Sequence, residues 1–176
     1  MGIQANEAQF VSFDKSQIIR AYEKMRIEID PQTSALLESR GIRVEDIEKV
    51  ITQAAETKKG FTNAGTGHSL ASYRPSKTTY WIEYGCEQDV CRIYTAYSHR
   101  MEILEGFNLP AKIKKTTDWV CLKCAVPLEV ATVKLTYLDE TFAADTPACP
   151  SCHIVFISES DAVEKMALAE KLLEDK

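Results

Sequence analysis

Cys121-Leu122-Lys123-Cys124 and Cys149-Pro150-Ser151-Cys152 repeat one four-residue pattern, and their reading decides the fold of the last third of the chain. Two residues between cysteines let both thiolates of a tight turn approach one ion. Two such turns then supply four ligands at tetrahedral angles. The intervening run Leu128–Leu138 is rich in Val, Thr and Tyr and reads as a strand leaving the first knuckle. Phe142 begins the return, and Ile154, Val155, Phe156 and Ile157 read as a further strand after the second knuckle. Strand, knuckle and strand around four cysteines is the layout of a zinc ribbon, expected here over residues 118–157. About 40 residues are too few to bury an adequate core alone, so a bound metal would decide whether this piece folds.

Zn2+ is the expected ion for Cys121, Cys124, Cys149 and Cys152, with Fe as the alternative, because tetrahedral sulfur suits both. An iron site of this kind would resemble rubredoxin and carry single electrons. Rubredoxin knuckles place Gly after the second cysteine, whereas this chain has Ala125 and His153. Cys149–His153 also fits the C-x-x-C-H haem-attachment pattern, but that reading leaves Cys121 and Cys124 without a partner.

The wider composition restricts the function classes. With 21 Lys+Arg against 26 Asp+Glu the chain of 176 residues carries a net charge of −5. Residues 1–110 hold 13 basic and 15 acidic side chains, and neither part forms the basic module that phosphate contacts need, so nucleic acid is not an expected partner. No stretch approaches the roughly 18 apolar residues of a membrane span, and the first ten residues show neither the basic nor the apolar region of a secretory signal. A cytoplasmic location is the expectation, and in that setting six cysteines mean metal or redox chemistry.

Upstream, the expectation is an α+β unit over 1–110, a linker at 111–117, and a C-terminal helix over 158–176. Asp14 can cap a helix over Lys15–Ile27, a second starts near Gln32 and stops at Gly41, and a third spans Val44 to Lys59 and closes at Gly60. In the third, Ile47, Val50, Ile51, Ala54 and Ala55 form one apolar stripe. Three strand-like runs follow, His68–Arg74, Thr78–Cys86 and Cys91–Met101, so these helices should pack on a three-stranded antiparallel sheet. A four-residue loop, Glu87–Val90, sets Cys86 against Cys91, Tyr84 against Ile93, Ile82 against Thr95 and Tyr80 against Tyr97. That register puts Tyr80, Ile82, Tyr84, Cys86, Cys91, Ile93, Tyr97, His99 and Met101 on a core face. Trp81, Glu83, Arg92, Tyr94 and Arg100 take the other. Glu105–Thr117, with Gly106, Pro110 and three lysines, reads as connecting chain.

Two weaker constellations stand apart from the ribbon. Cys86 and Cys91 face each other across the hairpin, close to the Cα spacing that a cross-strand disulfide requires; they are read as two reduced thiols filling the end of the sheet, with a reversible redox pair as the alternative. His99 and Arg100, with Arg74 and Lys77 near the same sheet end, are candidates for an acid–base or anion site, or for a hydrogen-bonded edge histidine beside a solvated arginine. At the C-terminus, Ser158 and Asp161 form a capping-box-like pair, and Val163, Met166, Ala169, Leu172 and Leu173 form an apolar stripe that either packs inward or pairs two chains as a homodimer.

Through Thr79–Tyr84 (TYWIEY), Tyr97–Met101 (YSHRM) and the terminal Leu172–Lys176 (LLEDK), the chain resembles a family of small redox proteins of anaerobic bacteria. Family members often have Cys where this chain has Ser98. The resemblance implies an accessory or electron-transfer role and a protein partner, an oxidoreductase or maturation system. The order of helices and sheet in the first part also resembles RelE-like ribonuclease toxins, whose activity would centre on residues such as His99 and Arg100. The acidic charge opposes a ribonuclease.

Overall fold

A computed structural model of the chain describes residues 25–109 and 116–175. Asp30 starts the first helix, α1 (Pro31–Ser39), by accepting the N–H groups of Gln32 (2.9 Å) and Thr33 (3.0 Å). These are two of the donors a helix start leaves without an internal partner. Gly41, at φ +65°, makes the left-handed turn that ends the segment. In the next helix, α2 (Val44–Thr57), the stripe Ile47, Val50, Ile51 and Ala54 is buried as its spacing requires. This helix closes at Lys58, at φ +58°, rather than at Gly60. Gly60 has a packing role instead: a Cβ there would meet both Leu122 Cδ1 and Leu70 O at 3.0 Å.

Among the described residues nine strands form one sheet, not the three expected. They are β1 (Arg26–Glu28), β2 (Phe61–Asn63), β3 (Ser69–Tyr73), β4 (Thr79–Glu87), β5 (Val90–His99), β6 (Glu102–Leu109), β7 (Thr116–Cys121), β8 (Pro127–Tyr137) and β9 (Glu140–Ala148). The order is β1-β5-β4-β3-β2-β7-β8-β6, with β9 on the other edge of β8. The antiparallel run β3–β4–β5 is the sheet read from sequence, with α1 and α2 against it. Short β2 joins it to the cysteine-bearing part by pairing with both β3 and β7.

Several boundaries differ from expectation. Met25, Arg26 and Ile27 are not helical; Arg26 and Ile27 lie in β1, parallel to β5, and residues 15–24 of the helix expected at 15–27 fall outside the described residues. The supposed connecting chain is strand at both ends, in β6 and β7, with 110–115 outside the described residues. Ile154–Ile157 contributes only one bridge, Ala148↔Val155, because Val155, Phe156 and Ile157 are consecutively buried as core anchors and do not alternate across a pleat.

The β4–β5 register is also corrected. Cys86 faces Cys91 and Tyr84 faces Ile93, but Ile82 faces Ala96 and Tyr80 faces Ser98. Tyr94 is the extra residue of a β-bulge, and one added residue shifts every later pair and exchanges faces. Consequently Trp81 and Tyr97 share a face, with rings stacked 6.2 Å apart, and Met101 joins them. Both faces are buried. Ile82, Tyr84, Cys91, Ile93 and Ala96 meet the helices. Trp81, Tyr97, Leu70 and Phe61 meet Val133, Leu135, Phe156 and Ile157.

The C-terminal helix begins as expected, with Ser158 Oγ donating to Asp161 and accepting its N–H. Its first part, Asp161–Met166, is π-helical and runs into α3 (Ala167–Glu174). The wider turn rotates the packed face, burying Ala162, Met166 and Glu170 and leaving Val163 and Leu172 of the expected stripe exposed. Among the described residues no helix is long and apolar enough to cross a membrane.

Candidate metal centre

Cys121 ends β7, directly opposite Phe61 of β2, so the sheet itself fixes the first ligand. The chain then turns back on itself. Ala125 N–H donates to Cys121 O (2.8 Å) and Cys121 N–H to Val126 O (2.9 Å), with Ala125 at φ +54°. The second knuckle repeats this geometry. His153 N–H donates to Cys149 O (3.0 Å) and Cys149 N–H to Ile154 O (2.9 Å), with His153 at φ +63°. The two loops therefore share one backbone shape, and Ala and His adopt the left-handed conformation for which glycine is usual.

The four Sγ atoms lie within 4.8 Å of one another, Cys121 and Cys152 at 3.7 Å. Four sulfurs about 2.3 Å from one ion would be about 3.8 Å apart, so the cluster is near the size a tetrahedral metal demands. Cys121 and Cys149 are buried, while Cys124 and Cys152 are half-buried. Burial pushes the Cys121 thiol up and that of Cys152 up to about 12; the Ser151 hydroxyl draws Cys124 down. Without a cation, four adjacent thiolates would repel one another in a partly desolvated site. A metal ion removes that cost. Four protein ligands close the coordination sphere, so the arrangement suits a structural or electron-transfer ion better than a Lewis acid needing an open position. A hollow of about 190 Å³ beside the cluster is lined by Lys58, Lys59, Lys123 and His153, which places cationic groups near the charge a metal tetrathiolate would carry.

The other predicted residues have different circumstances. Cys86 and Cys91 are not the two reduced thiols expected: they are directly paired across the hairpin, Cα atoms 4.1 Å apart, and joined by a disulfide. His99 is 2% exposed, and both its ring nitrogens are engaged. Trp81 Nε1–H donates to Nε2 at 3.0 Å, which leaves Nδ1 to carry the proton and donate to Met101 O at 2.8 Å. Burial pushes its pKa down to about 4. His99 is thus a neutral core residue with no free nitrogen for acid–base work. Arg100 is committed too, to Glu170, to Glu174 and to the Tyr137 ring. Arg74 donates to Arg100 O (3.0 Å) and Thr79 Oγ1 (3.1 Å), holding this corner from the opposite side. Lys77 is exposed in the turn between β3 and β4. The structure therefore gathers three of the four residues, His99, Arg100 and Arg74, into a brace for the end of β5.

Two features had no sequence signal. Buried Glu170 accepts the N–H groups of Arg100 (2.7 Å) and Met101 (2.8 Å), although its place in an acidic helix reads as solvated. His68 stacks on Tyr94 with centroids 3.7 Å apart and bonds Glu83 at 2.7 Å, a cluster that the bulge at Tyr94 makes possible.

Residues 117–176 match the model of a domain of unknown function, DUF7479; the matched part begins in β7 and takes in all four clustered cysteines and the C-terminal helix. No curated protein and no solved structure matches the chain.

Proposed function

We propose that Cys121, Cys124, Cys149 and Cys152 hold one Zn2+ ion whose work is structural, and that the surface around it receives a protein partner. The observation supporting the ion is the convergence of two knuckles of the same backbone shape on four sulfurs within 4.8 Å. Zinc has no redox chemistry of its own, and a closed tetrathiolate has no position for a substrate, so its contribution is to fold the segment that carries it.

The partner reading draws on the lysines beside the cluster and on Leu122, which is 41% exposed at the knuckle tip. A cationic rim around an apolar tip suits an acidic protein. An oxidoreductase or maturation system as that partner rests on the resemblance of TYWIEY and YSHRM to the redox-protein family alone. The test has two arms. Cys149→Ser should lower the melting temperature by 10 °C or more and reduce zinc content at least tenfold; an unchanged melt removes the metal reading. Lys58→Glu with Lys123→Glu should leave the melt unchanged and abolish co-purification of a partner from the native host.

A second reading, iron serving electron transfer, is favoured by the half-buried sulfurs of Cys124 and Cys152, through which electrons would pass. A red protein bleached by dithionite supports it, and a colourless protein with one zinc per chain removes it.

A further inference from the structure

The disulfide has a poor claim to a structural role. Its cysteines are five residues apart, so it closes a very short ring, the case in which a cross-link restricts the unfolded chain least. The hairpin is already held without it: Glu87 pairs with Val90 and Gly85 with Arg92, and β1 lies parallel along Val90–Arg92. Arg26 N–H donates to Asp89 O at 2.7 Å, closing the same end.

The two sulfurs are also unequal. Cys86 is exposed and lines a cleft of about 750 Å³ at this end of the sheet, together with Arg26, Arg92, Tyr94 and His68. Cys91 is 3% exposed, packed among the residues that meet the helices, and does not line the cleft. An incoming thiolate has access to one sulfur only.

A second contrast lies within the chain. The other four cysteines are clustered within 4.8 Å at the candidate metal centre and form no disulfide. The chain thus separates the four-cysteine cluster from the one disulfide, with β2 and β3 between β7 and the β4–β5 hairpin.

We propose that Cys86–Cys91 is a redox-active disulfide that accepts two electrons from a dithiol entering the cleft, with Cys86 the sulfur attacked. The donor's first thiolate bonds to Cys86 Sγ, the Sγ–Sγ bond breaks, and its electron pair stays on Cys91 Sγ, which takes up a proton. The donor's second thiolate then attacks the donor sulfur of the mixed disulfide and releases Cys86, which is protonated in turn. In sum the protein gains two electrons and two protons, and the dithiol becomes a disulfide. The inference is independent of the metal reading, since none of its residues belongs to the four-cysteine cluster.

The test uses the full chain, folded and with whatever metal it carries, after exposure to air. One arm adds dithiothreitol and the other a thioredoxin-class protein with its reductase. Alkylation and mass mapping follow, with melting and metal content measured on the same samples. Cys86 and Cys91 are expected to become alkylatable within minutes while the melting temperature changes by less than 5 °C. Reduction in the dithiothreitol arm alone identifies small thiols as the donor, and reduction in both extends the donor class to proteins. Cys86 in Cys91→Ser is expected to react with a small aromatic disulfide at least tenfold faster than Cys91 in Cys86→Ser. A pair that stays oxidised in both arms until the chain is denatured would overturn the proposal. So would six free thiols after aeration, or a loss of folding on reduction, or equal reactivity of the two sulfurs.

Discussion

Ala125 and His153 occupy the same position in two separate knuckles, each following the second cysteine of its pair, each left-handed, and each donating its N–H to the first cysteine's carbonyl. A Cβ in that conformation costs roughly 1–2 kcal/mol relative to glycine. Ala125 is exposed and its side chain buries nothing that would be lost. Ala125→Gly should therefore stabilise the protein by about 0.5–1 kcal/mol, allowing for the entropy glycine adds to the unfolded chain. Urea unfolding of the two proteins at equal metal content measures it, and a destabilised variant would show that the knuckle carries no such strain.

His99 predicts a pH dependence. An unfolded histidine takes up a proton near 6.5, and His99 in the folded chain only near 4, because burial opposes its charge. Between those values the unfolded state binds more protons, so stability falls as pH drops from 6.5 to 4 and is insensitive to this group above 6.5. The loss amounts to up to about 3 kcal/mol, and its upper part, between pH 6.5 and 5, lies above the range where carboxylates titrate. His99→Asn should cost about 2–3 kcal/mol at pH 7 by disturbing the Trp81 and Met101 bonds, and should flatten the slope between pH 6.5 and 5. A wild-type protein equally stable at pH 7 and 5 would contradict this account of His99.

Glu170 ties the C-terminal helix to the end of β5 through two backbone N–H groups and the Arg100 guanidinium. Truncating it leaves those donors without an acceptor in a buried position. Glu170→Ala should cost about 3 kcal/mol or more, and Glu170→Gln, which keeps an acceptor oxygen, noticeably less. Hydrogen exchange at Arg100 and Met101 should quicken in proportion. Equal losses from both substitutions would mean that packing, not hydrogen bonding, holds the helix.

How far the sequence discloses these arrangements depends on whether a signal is local. The cysteine pairs are legible because ligation of one shared ion would require their spacing, and α2 is legible because Ile47, Val50, Ile51 and Ala54 repeat at helical period. The facing of Cys86 and Cys91 follows from a short hairpin, but Gln88, at φ +54°, tightens the loop to two residues, and the bulge at Tyr94 then moves Trp81 and Tyr97 to one face. Nothing in YTAY marks that bulge, and the stacking of Tyr94 on His68 that accompanies it is a contact distant in sequence. Glu170 is hidden for a related reason. A π-helical turn rotates the helix so that an acidic residue replaces Leu172 on the buried side, and its partners lie 69 and 70 residues away.

The central claim is that one ion orders the four-cysteine segment, and native mass spectrometry with elemental analysis of protein purified without added metal tests it most directly. The account predicts a single zinc per chain, removed by a strong chelator together with the protection of β7, β8 and β9 against hydrogen exchange. A folded preparation devoid of transition metal, whose exchange pattern a chelator leaves untouched, would contradict it.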